Sequence, residues 1–449
     1  MLPGTSMKNK ITAWFINKMS GIFSLLMLVS PGFMAQENLS LSVAIESSLK
    51  NNFFITTVRI DEQIAKNNNT FGNAGFLPSV DASAGISTTT NNTEQEFSSS
   101  EMIKQKGVRT DNLNAGAQLN WTLFDGLRMF AAKSRLNQQE EASGLYLKVE
   151  IENIVSQVIG VYFNVVRILQ QIKVLEENIK IYEDRELIAK TRFDIGSASR
   201  LDFLQAKVDR NEKLSEILSL KEEYNTSIAD LNRLMGKTDF TDYNLTDSVT
   251  IAYSPTYEDL RKTVLTNNSE INLSNKYTGI FESTVREMQS QRFPQLDLNV
   301  NYNFSRIENE AGFTLLNDNR GLTTGVILSW NLFNGFNTGR EIQNAKLNLQ
   351  STQLLLADTR SKIDRDLFVA FNRFQSEKEI LQLEESNLEF ARENVTVALE
   401  AYRLGSISGL QLKEAQNSYE SSFSRLVEAR YRTKLSETEL MRLNGELVK

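Results

Sequence analysis

The most constraining feature of this sequence is one sharp change of hydrophobic period, from two residues to a heptad. Between Leu113 and Leu123 every second residue is apolar, which is the pattern of a two-faced strand. After the Phe124-Asp125-Gly126 corner, apolar residues recur at alternating steps of three and four. From Leu127 to Ile195 the chain runs 69 residues without a proline, so a continuous helix would be about 100 Å long at about 1.5 Å per residue. A rod of this length predicts an elongated molecule.

The same pattern occurs twice. Trp121 to Gly126 reads W-T-L-F-D-G, and W-N-L-F-N-G follows 209 residues later at Trp330 to Gly335. The glycine that ends the rod, Gly196, and the Leu-x-Gly that closes each half recur with the same offset. Upstream, Pro78 and its counterpart Pro294 are 216 residues apart, so the seven-residue difference lies between Pro78 and Trp121. We interpret this as an internal duplication whose two rods have equal length.

The duplication divides the chain into segments. We predict a signal peptide at 1–35, a first repeat at 36–236, a polar connector at 237–256, a second repeat at 257–445 and a tail at 446–449. Three lysines precede the apolar stretch Gly21–Val29, and the small residue Ala35 follows it, as in a secretory signal. A short membrane anchor or a buried helix is the alternative, but the stretch is well below the roughly 20 residues that span a bilayer. No later segment is expected to span one as a helix, so a membrane crossing requires strands.

Composition excludes most catalytic chemistry. The 449 residues include no cysteine and no histidine, which removes disulfides, thiolate nucleophiles, the usual zinc ligands and the commonest general base. No phosphate-binding glycine pattern or G-x-S-x-G motif occurs. We therefore predict a protein that is not an enzyme, with no catalytic, metal-binding or cofactor-binding residues. The formal charge of −7, without a long basic run, argues against nucleic acid as a partner.

Four strands with one apolar and one polar face are predicted, at 80–86, 113–123, 296–304 and 322–332, with polar loops at 88–111 and 306–320. Strands of about 9 to 11 residues fit a transmembrane β-barrel, whereas a soluble four-stranded sheet is the alternative. The polar faces are rich in Asn, Ser, Gly and Thr, as suits a wet lumen. Because about eight strands are needed for closure, we expect a barrel shared by two chains or three.

Helices are predicted over 39–76, with Asn51-Asn52 as a possible break, and over 127–195, 201–234 and 257–292. Gly196 has the position of a C′ glycine, and Ser199 with Asp202 has the form of a capping box. Gly405, Ser408 and Gln411 repeat this arrangement in the second copy. The pattern predicts two long antiparallel helical hairpins, each with a tight turn at its end.

The ordered motifs of each half resemble the TolC-like outer-membrane efflux protein (outer membrane factor) family over essentially the whole mature chain. Each half reads helix, Leu/Phe-Pro, strand, loop, strand ending W-x-L-F-[DN]-G, long helix, Gly-Ser turn and closing helix. The resemblance implies an α+β membrane protein that forms a homotrimer, with four transmembrane strands per chain in a 12-stranded barrel. A long periplasmic α-helical barrel of coiled-coil hairpins continues from it.

The resemblance also implies a function and partners. Family members reside in outer-membrane lipid and extend into the periplasm, where they serve as the passive exit duct of a tripartite efflux pump or a type I secretion system. A periplasmic adaptor (membrane fusion protein) joins them to an inner-membrane RND or ABC pump. No cofactor is expected.

By the same resemblance, the tip turns contact the adaptor and acidic residues just past them ring the pore. The turn residues that correspond are Gly196, Ser197, Ser199, Gly405, Ser406 and Ser408. The gate positions that correspond are Asp202, Gln411 and Glu414. An arginine that helps to lock the closed tip of the best-known member corresponds to Ile407 here, so this chain departs from the family at that lock. Asp202 has a structural alternative as the N3 capping residue, and the two roles are compatible.

Aromatic residues at the ends of the second and fourth strands are interpreted as a girdle at the membrane interface. They are Trp121, Phe124, Trp330 and Phe333. Simple packing at a strand end is the alternative for both tryptophans.

Two other classes of protein share some of these features. A periplasmic coiled-coil adaptor should show one hairpin inserted into a β-rich domain, not two equal copies with amphipathic strand pairs. A structural scaffold or trimeric adhesin would explain the heptads, but not the proline-ended helices or the return of the chain through two hairpins.

Overall fold

A computed structural model describes residues 37–96, 98, 102–239, 241–245, 248–312 and 314–448. The predicted signal peptide at 1–35 lies outside these residues. The elements of the first half are β1 Glu37–Leu39, α1 Leu41–Asn51, α2 Phe53–Asn68, β2 Ser79–Glu96, β3 Met102–Phe124, α3 Arg128–Asp194 and α4 Arg200–Leu234. Those of the second half are β4 Tyr243–Leu245, α5 Tyr257–Asn267, α6 Ser269–Gln289, a 3₁₀ turn Ser290–Arg292, β5 Gln295–Asn309, β6 Leu316–Ser329, α7 Asn337–Arg403 and α8 Gly409–Leu443.

The four long strands form one antiparallel sheet in the order β2-β3-β5-β6. The two copies join at β3 and β5, where Ala117 lies opposite Tyr302 and Trp121 lies opposite Leu298. Strands β2 and β6 are the edges of the sheet within one chain. Apolar residues on one face, such as Ile86 and Val326, are largely exposed, because no layer formed by the described residues of this chain covers that face.

The prediction of two polar loops, at 88–111 and 306–320, is mostly wrong, because most of these residues belong to strands. β2 continues to Glu96, and β3 begins at Met102 and pairs with it, with a register shift between Asn91 and Thr93. The connection between β5 and β6 spans only residues 310–315. These segments are polar on both faces, and the apolar alternation that marks a half-buried strand is absent from a hairpin whose two faces contact water. The fourth strand also ends earlier than predicted, at Ser329.

The long rods are as predicted, since α3 and α7 each contain 67 residues. The predicted helix over 39–76 is two helices, because Asn52 adopts an extended conformation and its side chain caps α2. Asn268 does the same between α5 and α6. The helix end predicted at 76 is also wrong, since α2 ends at Asn68, where Asn69 leaves the helical conformation with φ −83° and ψ 60°. The amide of Asn52 also donates a hydrogen bond of 2.9 Å to the carbonyl of Leu234 at the end of α4. Each short helix is thereby joined end to end with the helix that returns from the tip.

Packing follows two levels along the rods. Near the sheet, α3 packs against α2 and α6, and α7 packs against α6. Towards the tip, α3 packs against α4 and α8, and α7 packs against α8. The main core surrounds the middle of α3, where Tyr162 is fully buried and its hydroxyl donates to the carbonyl of Leu39 at 2.9 Å. The segment predicted as a connector contains β4, which pairs in parallel with β1 and closes this core.

One helix departs from the expectation about membrane spans. Among the described residues, α3 contains an 18-residue window that is apolar enough to cross a membrane by length and composition, and half of that window is buried in the protein. The apolar residues of this helix include Val158 and Val165, which are fully buried in the main core, and Ile168, which is also fully buried. Protein packing therefore accounts for this apolar stretch.

Candidate functional site: the helical tip and the strand ends

Both turns at the far end of the rods have the same hydrogen-bonded geometry. Gly196 has φ +77° and Gly405 has φ +80°, which is the left-handed conformation that glycine adopts without a steric cost. The N–H of Ser197 donates to the carbonyl of Arg192 at 2.8 Å, and the N–H of Ser406 donates to Ala401 at 2.9 Å. These are Schellman turns, which satisfy the last carbonyls of each rod.

The helices that return from the tip begin with serine caps. Ser408 accepts from the backbone N–H of Gln411, and the Gln411 side chain accepts from the Ser408 N–H at 2.9 Å, so the capping box is complete. In the first copy, Ser199 accepts from the Asp202 N–H at 3.2 Å, and its hydroxyl donates to the Asp202 carboxylate at 3.0 Å. Only half of the predicted capping box is therefore present at Ser199.

A buried ionic cluster lies a few turns above the tip and links three helices. The Asp209 carboxylate of α4 contacts Arg185 Nη1 of α3 at 2.9 Å and Lys413 Nζ of α8 at 2.7 Å. Gln205 also donates to Asp209 at 2.9 Å. Burial by itself would raise the pKa of Asp209, but the hydrogen bonds from Lys413 and Gln205 and the charge of Arg185 outweigh it and hold that pKa below its ordinary value.

A second polar group continues the cluster away from the tip. Tyr182 donates to Glu420 at 2.9 Å, and Lys213 contacts the same carboxylate at 2.8 Å. Burial and the Glu420 charge raise the pKa of Tyr182, so its hydroxyl remains a donor. Burial would lower the pKa of Lys213, but its pairing with Glu420 raises it overall. The two hairpins of one chain are thus joined by ionised groups at successive heptad levels.

The two rods are also joined beside their turns. Arg192 near the end of α3 donates to the carbonyl of Tyr402 at 2.6 Å, and its guanidinium lies 4.8 Å from the Tyr402 ring centroid. A cavity of about 590 Å³ opens between the two turns. Its lining includes Arg185, Arg192 and Lys413, so cations from both hairpins surround it.

The structure places the predicted gate and turn residues on the surface of the tip. Asp202, Gln411 and Glu414 are all exposed. Asp202 lines the cavity together with Ser197 and Ser408, whereas Gln411 and Glu414 are not among its lining residues. Gly196, Ser199, Gly405 and Ser406 form the exposed turns themselves. These positions agree with a tip role and leave it a prediction.

Sequence reasoning missed Arg185, Asp209 and Lys413. A signal was present, since Arg185 follows Tyr182 by three residues and precedes Ala189 by four, which puts a charge on the heptad stripe. A charged residue at such a position is costly unless a partner neutralises it. The partners lie on other helices, so spacing alone does not identify them.

At the other end of the rods, both tryptophans form equivalent hydrogen bonds. Trp121 Nε1 donates to the carbonyl of Phe76 at 2.9 Å, and Trp330 Nε1 donates to Arg292 at 3.1 Å. Each bond ties the end of a strand to the segment that precedes the first strand of the same copy. Trp330 and Phe333 are largely exposed, and Trp121 and Phe124 are partly so. Indole rings with a bonded N–H and an exposed apolar body are typical of a membrane interface.

Comparison with known proteins agrees with this architecture. The sequence profile of the family described as outer membrane efflux protein matches residues 44–237 and 260–446. The chain is 20% identical over 421 residues to the outer membrane efflux protein BepC of Brucella suis biovar 1 (strain 1330), covering 91% of this chain and 86% of BepC.

Solved structures of similar fold include the CmeC outer membrane channel of Campylobacter jejuni, with a TM-score of 0.75 and 15% identity over 90% of this chain and 85% of CmeC. The outer membrane protein VceC of Vibrio cholerae matches with a TM-score of 0.73 and 16% identity, over 90% of this chain and 96% of VceC. The predicted TolC-like fold is confirmed, and the adaptor and scaffold alternatives are set aside. Because the matched segments cover most of both repeats, the chain belongs to the outer membrane efflux protein family.

Proposed function

We propose that three copies of the chain complete this outer-membrane efflux channel, as a passive duct whose periplasmic tip opens and closes. The observation that carries the proposal is that one strand pairing joins the two internal repeats of the chain, while the equivalent pairing on the other side of each repeat has no partner within the described chain. Inside the chain, β3 of the first copy pairs with β5 of the second. The same surfaces of β6 and β2 are unpaired edges, so a neighbouring chain of the same sequence supplies the partner.

The offsets of the duplication predict the register of that pairing. Val326 follows Ala117 by 209 residues, and Tyr302 follows Ile86 by 216. Because Ala117 lies opposite Tyr302 within the chain, we expect Val326 to lie opposite Ile86 of the neighbouring chain. Three chains of four strands then give the twelve strands of one barrel.

Glycines at the strand ends support the same pairing. A Cβ on Gly126 would clash with the carbonyl oxygen of Ser290, so the two copies approach closely there. A Cβ on the equivalent Gly335 would meet, apart from its chain neighbours and among the described residues, only the Asn337 side-chain amide at 3.9 Å. We infer that the first copy of a neighbouring chain occupies this space.

The helices carry complementary open edges. Near the tip, α4 and α7 lie at the two ends of the packing order α4-α3-α8-α7. Both present exposed apolar residues at heptad spacing, on α4 Leu201, Leu204, Val208 and Leu218, and on α7 Leu383, Phe390, Val397 and Leu404. α4 runs away from the tip and α7 towards it, so an antiparallel contact between neighbouring chains covers both stripes and closes the ring.

The proposed gate and the proposed partner contacts both lie at the tip. Asp202 and Glu414 are exposed acids beside the turns, and in a trimer each would repeat three times around the pore. Rings of charged side chains control ion passage through a constriction. We propose that these acids and Gln411 form the gate and that the Gly196 and Gly405 turns contact a periplasmic adaptor. An RND or ABC pump would supply energy, and a type I secretion system is the second candidate.

Crosslinking tests the trimer and its register. The double variant Ile86→Cys/Val326→Cys, oxidised in the membrane, should yield covalent dimers and trimers on a non-reducing gel and no larger species. The chain has no native cysteine, so each product reports only this contact. The control Ile86→Cys/Leu322→Cys moves one thiol four residues, about 13 Å, along the strand and should not crosslink. Products that stop at dimers, or that extend beyond trimers, would refute the three-chain ring.

A further inference from the structure

The turns that connect β3 with α3 and β6 with α7 contain two left-handed residues in succession. In the first copy Gly126 has φ +69° and Leu127 has φ +70°, and in the second Gly335 has φ +69° and Phe336 has φ +65°. The N–H of the fourth turn residue donates to the carbonyl of the first, at 3.3 Å and 3.5 Å. This is the form of a type I′ turn, which favours glycine or asparagine at both central positions.

Leu127 and Phe336 are therefore the wrong residues for their local backbone. A bulky side chain with positive φ is strained. Both residues also occupy the N-cap position of a rod and make no capping bond with their side chains, although Ser, Asp or Asn would be favoured there. In the first copy the Asp125 carboxylate caps the helix instead, accepting from the N–H of Met129 at 3.0 Å. In both copies, therefore, the residue suits neither the positive φ nor the N-cap position.

The strained backbone conformation does not bury the side chain of either residue within the chain. Leu127 is 59% exposed and Phe336 is 81% exposed. The turn of the first copy already packs against the second, since Gly126 approaches the Ser290 carbonyl. Leu127 remains exposed although the second copy packs against its turn. By analogy, packing of a neighbouring subunit against the turn of Phe336 would not bury the Phe336 side chain.

We propose that Leu127 and Phe336 are lipid anchors that insert into the inner leaflet of the outer membrane, at the periplasmic end of the barrel. This inference rests on the proposed function. Leu127 lies three residues after the end of β3 at Phe124, and Phe336 lies seven residues after the end of β6 at Ser329, so both come just past the apolar outer face of the sheet. Phe130 and Phe333 beside them are also exposed, and the Phe333 and Phe336 rings meet edge to face at 5.3 Å. Apolar side chains in this position contact phospholipid acyl chains just below the headgroups.

The surrounding charge fits a phospholipid surface. Arg340 lies one turn into α7 from Phe336; its side chain is 64% exposed, and its guanidinium lies 3.6 Å from the carboxylate of Glu341, a pair that a phosphate would have to share. A guanidinium one helical turn, about 5 Å, from an inserted ring reaches the phosphate level. The occupant of this surface is therefore a phospholipid leaflet rather than another protein chain.

Site-directed spin labelling tests the anchors in proteoliposomes. Because the sequence has no cysteine, single cysteines replace Leu127, Phe336, Val326 on the lipid-facing strand, or Glu389, an exposed residue on the same rod as Phe336 that lies outside the apolar stripe. Collision with oxygen reports lipid, and collision with a water-soluble nickel chelate reports the aqueous phase. We expect the ratio of oxygen to nickel collisions at 127 and 336 to be several-fold higher than at 389 and closer to that at 326.

The four labels separate the possible failures. A label at 336 that favours nickel while the one at 326 favours oxygen would overturn the anchors and leave the channel intact. A label at 336 that collides with neither probe would mean that a subunit covers the position, which also overturns the proposal. Nickel-accessible labels at all four positions would refute membrane insertion itself. Circular dichroism of each variant confirms that the rods have formed.

Discussion

The Asp209 carboxylate neutralises two cationic side chains near the tip. Its carboxylate is 2% exposed and contacts both Arg185 and Lys413. We predict that Asp209→Asn destabilises the tip by about 3–5 kcal/mol, because it leaves buried charges without a partner. Hydrogen exchange of the backbone amides near the tip measures this loss. The control Asp184→Asn breaks an exposed pair with Arg403 and should cost less than about 1 kcal/mol.

The same carboxylate makes the tip sensitive to acid. Its pKa is lower in the folded chain than in the unfolded chain, so its contribution is complete above the ordinary Asp pKa of about 3.9 and is lost as the pH falls through the lowered value. We expect tip exchange in the wild-type protein to accelerate in this range. In Asp209→Asn the dependence should be weaker, and an unchanged pH profile would count against the assignment.

Glu152 gives the opposite pH dependence near the middle of the rods. It is buried between helices and accepts from Ser269 at 2.9 Å. Burial raises its pKa despite this bond, so the folded chain binds the proton more tightly and loses stability as the pH rises through the raised value. Glu152→Gln keeps an acceptor for Ser269 and should have a higher Tm than wild type at about pH 7, with the difference vanishing near pH 4. An equal Tm at both values would contradict this.

At the scale of elements, asparagines join the half-length helices to those that return from the tip. Asn268 accepts from the Ile271 N–H at 3.0 Å and donates to the Leu443 carbonyl at 2.9 Å. We predict that Asn268→Ala costs about 1–2 kcal/mol, because the cap of α6 is lost and a buried carbonyl loses its donor. Chemical unfolding measures the loss. Asn267→Ala, at the exposed neighbour, is the control and should have little effect.

Sequence patterns predicted the elements where the signal was local. Glycine and serine at the tip turns, the proline that follows the 3₁₀ turn after α6, and the heptads of the rods each depend on near neighbours. Pro78 directly precedes β2 but does not end α2, which stops at Asn68. The strand extensions beyond Thr88 and Arg306 were missed, because polar residues on both faces resemble a loop. The Arg185–Asp209–Lys413 cluster was missed because its members are distant in sequence and meet only through helix packing.

At the scale of the whole molecule, the gate predicts a change in conductance. The double variant Asp202→Asn/Glu414→Gln removes the exposed acids at the tip and keeps an acceptor for Ser199. We expect single-channel conductance of the detergent-extracted protein in a planar bilayer to change from small and flickering to larger and more stable. Glu389→Gln, an exposed acid far along α7, should leave it unchanged. Equal conductance in all three proteins would place the constriction elsewhere.

Each unbroken rod also acts as a lever. With 67 residues and no proline, α3 and α7 are each about 100 Å long. For a stiff arm of this length, a tilt of one degree at the strand end displaces the far end by about 1.8 Å. A displacement the width of a water molecule therefore requires less than about two degrees of rotation where the rod leaves the barrel. Much of the displacement at the periplasmic end is thus set by the geometry of the turn that precedes each rod at its other end.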